Sequence, residues 1–201
     1  MTDAAMTEVH AEPRVRAGDV YKSSGWWGVI FAIVTEAALF AYLLFSYYYM
    51  AIEARADWPS AYPPLKLALP NTFVLLFSSV TFWWATREFE SGRRAEALLN
   101  MVLTAILGSI FIGVQLAEWH SKNFSISSGP YGSLYFTITG FHMAHVVVGL
   151  AVTLALIAWL AFGAIDDRRH PGISIGAAYW HFVDAVWLTV FFTFYITPHL
   201  I

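Results

Sequence analysis

The sequence contains no cysteine, and only 12% of its 201 residues are charged. The absence of thiols excludes disulfides, thiol catalysis, cysteine-ligated zinc and iron–sulfur clusters. Basic residues are scarce as well, with no run longer than Arg93-Arg94 or Arg168-Arg169. The chain therefore lacks the basic surface that proteins use to bind nucleic acid or to lie on anionic lipid. Hydrophobic residues make up 58% of the chain and aromatic residues 17%, which predicts an integral membrane protein.

Five long apolar segments occupy most of the sequence. A helix needs about 20 apolar residues to cross about 30 Å of hydrocarbon, so we expect an all-α integral membrane bundle of five helices. The predicted helices cover residues 26–50, 71–86, 98–119, 131–162 and 177–197. Residues 23–201 would thus form one domain, whereas the polar, mixed-charge residues 1–22 are predicted to form a flexible tail. The Pro-rich stretch "DWPSAYPPLKLALP" is predicted to be a connector between the first two helices.

The distribution of lysine and arginine predicts the orientation of the bundle. The tail, the second turn and the fourth turn hold all but three of these residues, and the exceptions are Arg55, Lys66 and Lys122. Cytoplasmic loops carry an excess of lysine and arginine. We therefore expect the N-terminus to be cytoplasmic and the C-terminus to face outward.

Glu36 is the residue that costs most to place in the membrane. If the first segment is helical, Glu36 lies about 15 Å beyond Trp26 at 1.5 Å per residue, which is near the bilayer midplane. Ionisable residues inside membrane helices are usually functional. Proton handling, ion coordination and a hydrogen bond to a lipid or partner subunit all remain open for this residue, as does a protonated acid bonded to a neighbouring helix.

Two histidines lie in "TGFHMAHVVVGL" of the fourth segment. His142 and His145 are spaced i, i+3 and share one helical face. A metal site would need three or four ligands, and the other intramembrane candidates are His181, Asp184, Glu36 and Glu118. Neighbours on one helix cannot bind both faces of one haem. The pattern therefore favours neutral histidines that hydrogen-bond between helices over a metal or haem site.

Two further polar pairs lie near segment ends. His181 and Asp184, in "YWHFVDAVW", are also i, i+3 neighbours, and we expect a short imidazole–carboxylate contact near the cytoplasmic end. Gln115 and Glu118, in "GVQLAEWH", sit at the outward end of the third segment. Solvated interface residues and a functional site are equally compatible with their position.

Several separate motifs resemble, in order, subunit III of the haem-copper terminal oxidases. They are "AIVTEAALF", "LPNTFVLLFSSVTFWWA", "GVQLAEWHSKNFSISSGPYGS", "GFHMAHVVVG" and "WHFVDAVWL". The resemblance runs from about Trp26 to the C-terminus. Long members of this family have seven helices, and this chain resembles only the last five, as in the short bacterial form. The two further helices of the long form enclose a cleft filled with phospholipid.

This resemblance implies an accessory subunit without haem or copper, which would lie in partner subunits. Subunit I would be the direct partner, with subunit II and small or supercomplex subunits nearby, in a bacterial plasma membrane. The resemblance further implies that the chain stabilises the catalytic subunit, binds structural phospholipid and supports proton uptake. Glu36 corresponds to the family's carboxylate beside the lipid cleft. His142, His145, His181 and Asp184 correspond to structural polar positions.

Three other functions remain open from the sequence. The chain could be a self-standing proton or ion transport protein that uses Glu36 and the histidines, a subunit of a related nitric oxide reductase, or a membrane metalloenzyme. The motifs do not distinguish cytochrome c from quinol as the electron donor of an oxidase.

Overall fold

The computed structural model describes residues 23–54, 58, 64–164 and 171–199. Within these residues the chain forms five long helices, and the predicted all-α membrane bundle is confirmed because each helix is long and apolar enough to cross a membrane. Their bounds are α1 Ser24–Glu53, α2 Leu65–Glu90, α3 Arg94–His120, α4 Pro130–Ala161 and α5 Gly172–Phe191. A π-helical turn, Phe192–Ile196, and a 3₁₀ turn, Thr197–His199, follow α5. The predicted tail, residues 1–22, lies outside the described residues, and the orientation in the membrane stays a prediction.

The helices pack around α5. A short turn joins α2 and α3 into an antiparallel hairpin, in which Gly92 adopts a positive φ of 78° that suits glycine. Helix α5 packs against α2, α4 and α1, and α1 lies against α4 and α5. Only Phe40 and Tyr47 of α1 are buried. Helix α1 is therefore peripheral, with large apolar side chains such as Phe31 and Tyr42 exposed as expected for a surface in contact with lipid.

Two tryptophans of α5 hold the centre of the bundle. The ring of Trp180 lies against Gly108 and Gly149, where an added Cβ would be 2.8 Å and 2.9 Å from its ring atoms. Small residues let membrane helices interlock in this way. The indole Nε1 of Trp180 donates to Ser78 Oγ at 2.9 Å, and that of Trp187 donates to Thr72 Oγ1 at 3.0 Å. Both indoles therefore tie α5 to α2.

Several helix bounds differ from the prediction. The second helix was predicted to begin at residue 71, but α2 begins at Leu65 and continues through Pro70. Proline cannot donate to the carbonyl four residues earlier, which normally disfavours this position. Ala68, however, is completely buried, so packing holds this first part of α2 in helical form. The prediction of a connector over residues 65–70 was wrong. Helices α3 and α5 also begin earlier than predicted, at Arg94 and Gly172.

Candidate functional site

A polar pair joins the peripheral helix α1 to α4. The Nε2 atom of His145 lies 3.0 Å from Oε2 of Glu36. The other ring nitrogen of His145, Nδ1, lies 2.7 Å from the carbonyl oxygen of Phe141. A carbonyl can only accept, so Nδ1 must carry a proton. Nε2 then either accepts a proton from a neutral Glu36 or, in an imidazolium, donates to a carboxylate.

Both arrangements of the Glu36–His145 pair have zero net charge. The first combines a neutral acid with a neutral imidazole, and the second combines a carboxylate with an imidazolium. A neutral pair avoids most of the cost of placing a single charge in hydrocarbon. Glu36 thus forms a hydrogen bond to a neighbouring helix, which was one of the alternatives left open by the sequence. The partner, His145, was not predicted because the two residues are 109 positions apart.

The pair lies at the contact of three helices. Phe40 of α1 packs edge-on against the His145 ring, with centroids 5.2 Å apart. From α5, the Tyr179 hydroxyl donates to the carbonyl of His145 at 3.4 Å. The side chain of His145 is 16% exposed and that of Glu36 is 35% exposed. Glu36 therefore has one oxygen held inside the bundle and a substantial surface that faces outward.

His142 points away from this pair and into the core. Its Nε2 atom lies 3.3 Å from the carbonyl oxygen of Val183 on α5 and donates to it. The ring packs between Phe111 and Trp187. The i, i+3 histidines therefore bond to two different helices. Among the described residues, no group of three or more histidine, aspartate or glutamate side chains is arranged to hold a metal ion.

The expected contact between His181 and Asp184 is not formed, so this prediction was wrong. Nδ1 of His181 instead pairs with the hydroxyl of Ser79 on α2. Asp184 is only 4% exposed, and neither of its carboxyl oxygens has a hydrogen-bond partner among the described residues. Ser79 also interacts with this carboxyl group, but outside hydrogen-bond geometry. The i, i+3 spacing of His181 and Asp184 permits a contact between them, but the imidazole hydrogen-bonds to the Ser79 hydroxyl of the facing helix α2 instead.

Gln115 and Glu118 are buried, at 1% and 2% exposure, so they are not solvated interface residues. Oε1 of Glu118 accepts from Lys122 Nζ at 2.7 Å and from the Tyr195 hydroxyl at 2.6 Å. The Lys122 side chain is 6% exposed. This carboxylate is therefore paired with a cation and hydrogen-bonded within the protein.

Two tyrosines complete this cluster. The hydroxyls of Tyr135 and Tyr195 lie 3.1 Å apart. The Lys122 ammonium lies 5.4 Å from the ring centroid of Tyr135 and 5.9 Å from that of Tyr195, within the range of cation–π attraction. The members of this Glu118 cluster are Gln115, Glu118, Lys122, Tyr135 and Tyr195.

The Glu118 cluster links the ends of three helices. Tyr135 lies near the start of α4, and the π-helical turn after α5 carries Tyr195. Lys122, Tyr135 and Tyr195 were not identified from the sequence. The i, i+4 spacing of Glu118 and Lys122 was the one available signal.

Known proteins match almost the whole chain. The family model described as "Cytochrome c oxidase subunit III" matches residues 15–198. A "Cytochrome c oxidase subunit 3" of Struthio camelus is 35% identical over 195 residues, which cover 92% of this chain and 72% of the relative. Proteins of the same name from Loxodonta africana and Neurospora crassa are each 36% identical, over 88% and 84% of this chain and 70% and 65% of the relatives.

Proposed function

Because this chain belongs to the cytochrome c oxidase subunit III family and is a multi-pass membrane subunit of a haem-copper oxidase complex, we propose a specific role for it. It is the accessory subunit that carries no redox centre, stabilises the catalytic subunit, holds structural phospholipid and supports proton uptake. Haem and copper lie in partner subunits, of which subunit I is the direct neighbour and subunit II is nearby. The location is a bacterial plasma membrane, an inference from the resemblance to the short bacterial form.

The Glu36–His145 pair is the observation that supports this role best. It lies within two membrane-spanning helices, and 35% of the Glu36 side chain is exposed on the outside of the bundle. Ionisable groups in membranes face polar partners rather than hydrocarbon. The peripheral position of α1 leaves this surface open to a lipid molecule that packs along the helix. We therefore place the structural lipid against α1 and α4 at this pair.

The same pair is suited to supporting proton uptake. One proton can lie on Glu36 or on Nε2 of His145 while the total charge stays zero, because Nδ1 keeps its own proton for the carbonyl of Phe141. A proton can move within the pair without creating a net charge in the membrane. This property supports the proposed role, although the chain's redox partners would perform the chemistry.

A self-standing transport function has less support. The intramembrane ionisable groups form separate sites, namely the Glu36–His145 pair, His142, the His181–Ser79 pair with Asp184, and the Glu118 cluster. No hydrogen bond between described residues connects one of these sites to another. A transport path would need such a connection. A role in a nitric oxide reductase differs from the proposed role only in the reaction of the complex.

Replacement of Glu36 tests the proposed role of the pair. In the complex purified from native membranes, Glu36→Ala should lower the phospholipid phosphorus retained per complex and accelerate the loss of oxygen uptake during sustained turnover. Glu53→Ala, at the exposed end of the same helix, is the matched control and should leave both quantities unchanged.

A second substitution separates lipid binding from proton handling. Glu36→Gln retains hydrogen-bonding groups next to His145 but cannot exchange a proton. It should keep the lipid and still lose activity faster than the parent complex. Equal lipid content and equal decay of activity in Glu36→Ala, Glu36→Gln and the parent would contradict the proposal.

A further inference from the structure

The Glu118 cluster contains polar atoms that no described residue satisfies. Gln115 is 1% exposed, and both its amide oxygen and its amide nitrogen lack a hydrogen-bond partner. Oε2 of Glu118 and the indole Nε1 of Trp119 also lack one. Buried polar groups in native proteins are almost always hydrogen-bonded. Four such atoms within the last two turns of one helix therefore indicate a bound molecule.

The unsatisfied atoms of Gln115 and Glu118 adjoin the same part of the interior. The two residues are spaced i, i+3 on α3, so their side chains are neighbours. Tyr135 lies close enough to interact with both of them, but neither contact meets hydrogen-bond geometry. The other oxygen of Glu118 is already occupied by Lys122 and Tyr195. The free amide and the free carboxyl oxygen thus lie together beside Tyr135.

The chemistry of these atoms selects the bound molecule. Gln115 Nε2 and Trp119 Nε1 are donors, whereas Gln115 Oε1 and Glu118 Oε2 are acceptors. A metal cation does not suit the site, because the Lys122 ammonium is already 2.7 Å from the carboxylate. An anion would be repelled by that carboxylate. A small neutral molecule that both donates and accepts satisfies the set, and water needs about two to four such partners.

We infer that the Glu118 cluster binds ordered water between the amide of Gln115 and Oε2 of Glu118. The water accepts from Gln115 Nε2–H and donates to the carboxylate oxygen. The hydrated cluster then connects the end of α3 to Tyr135 of α4 and, through Oε1 of Glu118, to Tyr195 beyond α5. This internal water site is independent of the oxidase role.

Millisecond X-ray radiolysis of the intact purified complex tests the inference. Radiolysis of a bound water produces hydroxyl radicals that oxidise adjacent side chains even where bulk solvent has no access. Tyr135 is 0% exposed, and Trp180 is equally inaccessible at 1% with its Nε1 bonded to Ser78. Tyr135 should be oxidised faster than Trp180, although tryptophan is intrinsically the more reactive side chain.

Two variants make the test specific. Gln115→Leu keeps a similar volume but removes both polar atoms, so the excess oxidation of Tyr135 should be lost. Leu116→Ala, on the exposed side of the same helical turn, should retain it. Oxidation of Tyr135 no faster than Trp180 in the parent complex overturns the inference, and so does undiminished oxidation in Gln115→Leu. If Gln115→Leu does not accumulate, the oxidation rates of Tyr135 and Trp180 in the parent complex still test the inference.

Discussion

Replacing Lys122 with methionine should destabilise the bundle strongly. The substitution keeps much of the side-chain volume but leaves the carboxylate of Glu118 without its cation. The two side chains are 6% and 3% exposed, and their charged atoms are 2.7 Å apart. The small stabilisation energies that are typical of exposed ion pairs therefore do not apply to this pair. Removal of one partner from a buried pair costs about 3–5 kcal/mol. The Tyr195 hydroxyl still donates to Glu118, so we expect a loss near the lower limit, about 3 kcal/mol.

Unfolding in mixed detergent micelles with increasing sodium dodecyl sulfate, followed by tryptophan fluorescence, measures this loss. Arg93→Met is the matched control, because the Arg93–Glu96 pair is longer, at 3.5 Å, and both side chains are more than half exposed. Its loss should be at most about 0.5 kcal/mol. The double variant Lys122→Met with Glu118→Gln should be more stable than Lys122→Met alone, because it removes the unpaired charge. A loss below about 1 kcal/mol for Lys122→Met, as in an exposed pair, would refute the reasoning.

Two further substitutions test the packing and the Glu118 cluster in the same unfolding assay. Gly108→Ala places a methyl group against Trp180 and should lower the free energy of unfolding by about 1–3 kcal/mol. The methyl group of Gly140→Ala would lie in open space, so this variant should be neutral or more stable by up to about 1 kcal/mol. Equal effects of the two substitutions would contradict the packing of Trp180. Tyr195→Phe removes the 2.6 Å hydrogen bond to Glu118 and should cost about 1.5–3 kcal/mol. Tyr42→Phe, on an exposed ring, should have almost no effect, and a similar loss in both variants would argue against that hydrogen bond.

Hydropathy was sufficient to predict the number and type of helices, because each crossing needs its own long apolar segment. It was less informative at their ends. The residues from Leu65 to Pro70 contain a charged residue and a proline, so the sequence indicates a connector there, whereas the burial of Ala68 keeps them helical. Packing against a neighbouring helix is a tertiary effect that local composition does not report.

For the polar sites as well, local sequence identified the residues but not the tertiary contacts that they form. Spacing on one helix identified His142, His145, His181 and Asp184 as candidates, but it did not identify their partners. His145 bonds to Glu36, 109 positions away, and His181 bonds to Ser79, 102 positions away. The contacts that decide the chemistry run between helices, and a single sequence carries no signal for them.

The burial of Glu118 also depends on contacts that the sequence does not show. From the sequence, its position near the end of a membrane helix was compatible with a side chain exposed to solvent. Lys122, one turn later, and Tyr195, on the π-helical turn after α5, instead enclose the carboxylate. Lys122 is a local neighbour in sequence, two residues beyond the end of α3, whereas the position of Tyr195 depends on the π-helical turn that follows α5.

The most direct test of the central claim, that this chain is a subunit of a haem-copper oxidase, is copurification. The chain would be tagged, the membranes solubilised in mild detergent, and the reduced-minus-oxidised spectrum recorded together with oxygen uptake on a cytochrome c or a quinol. We predict haem bands in the purified material and oxygen uptake with one of the two donors, which would also identify the donor. A chain that purifies alone, without haem absorbance and without oxygen uptake, would contradict the claim.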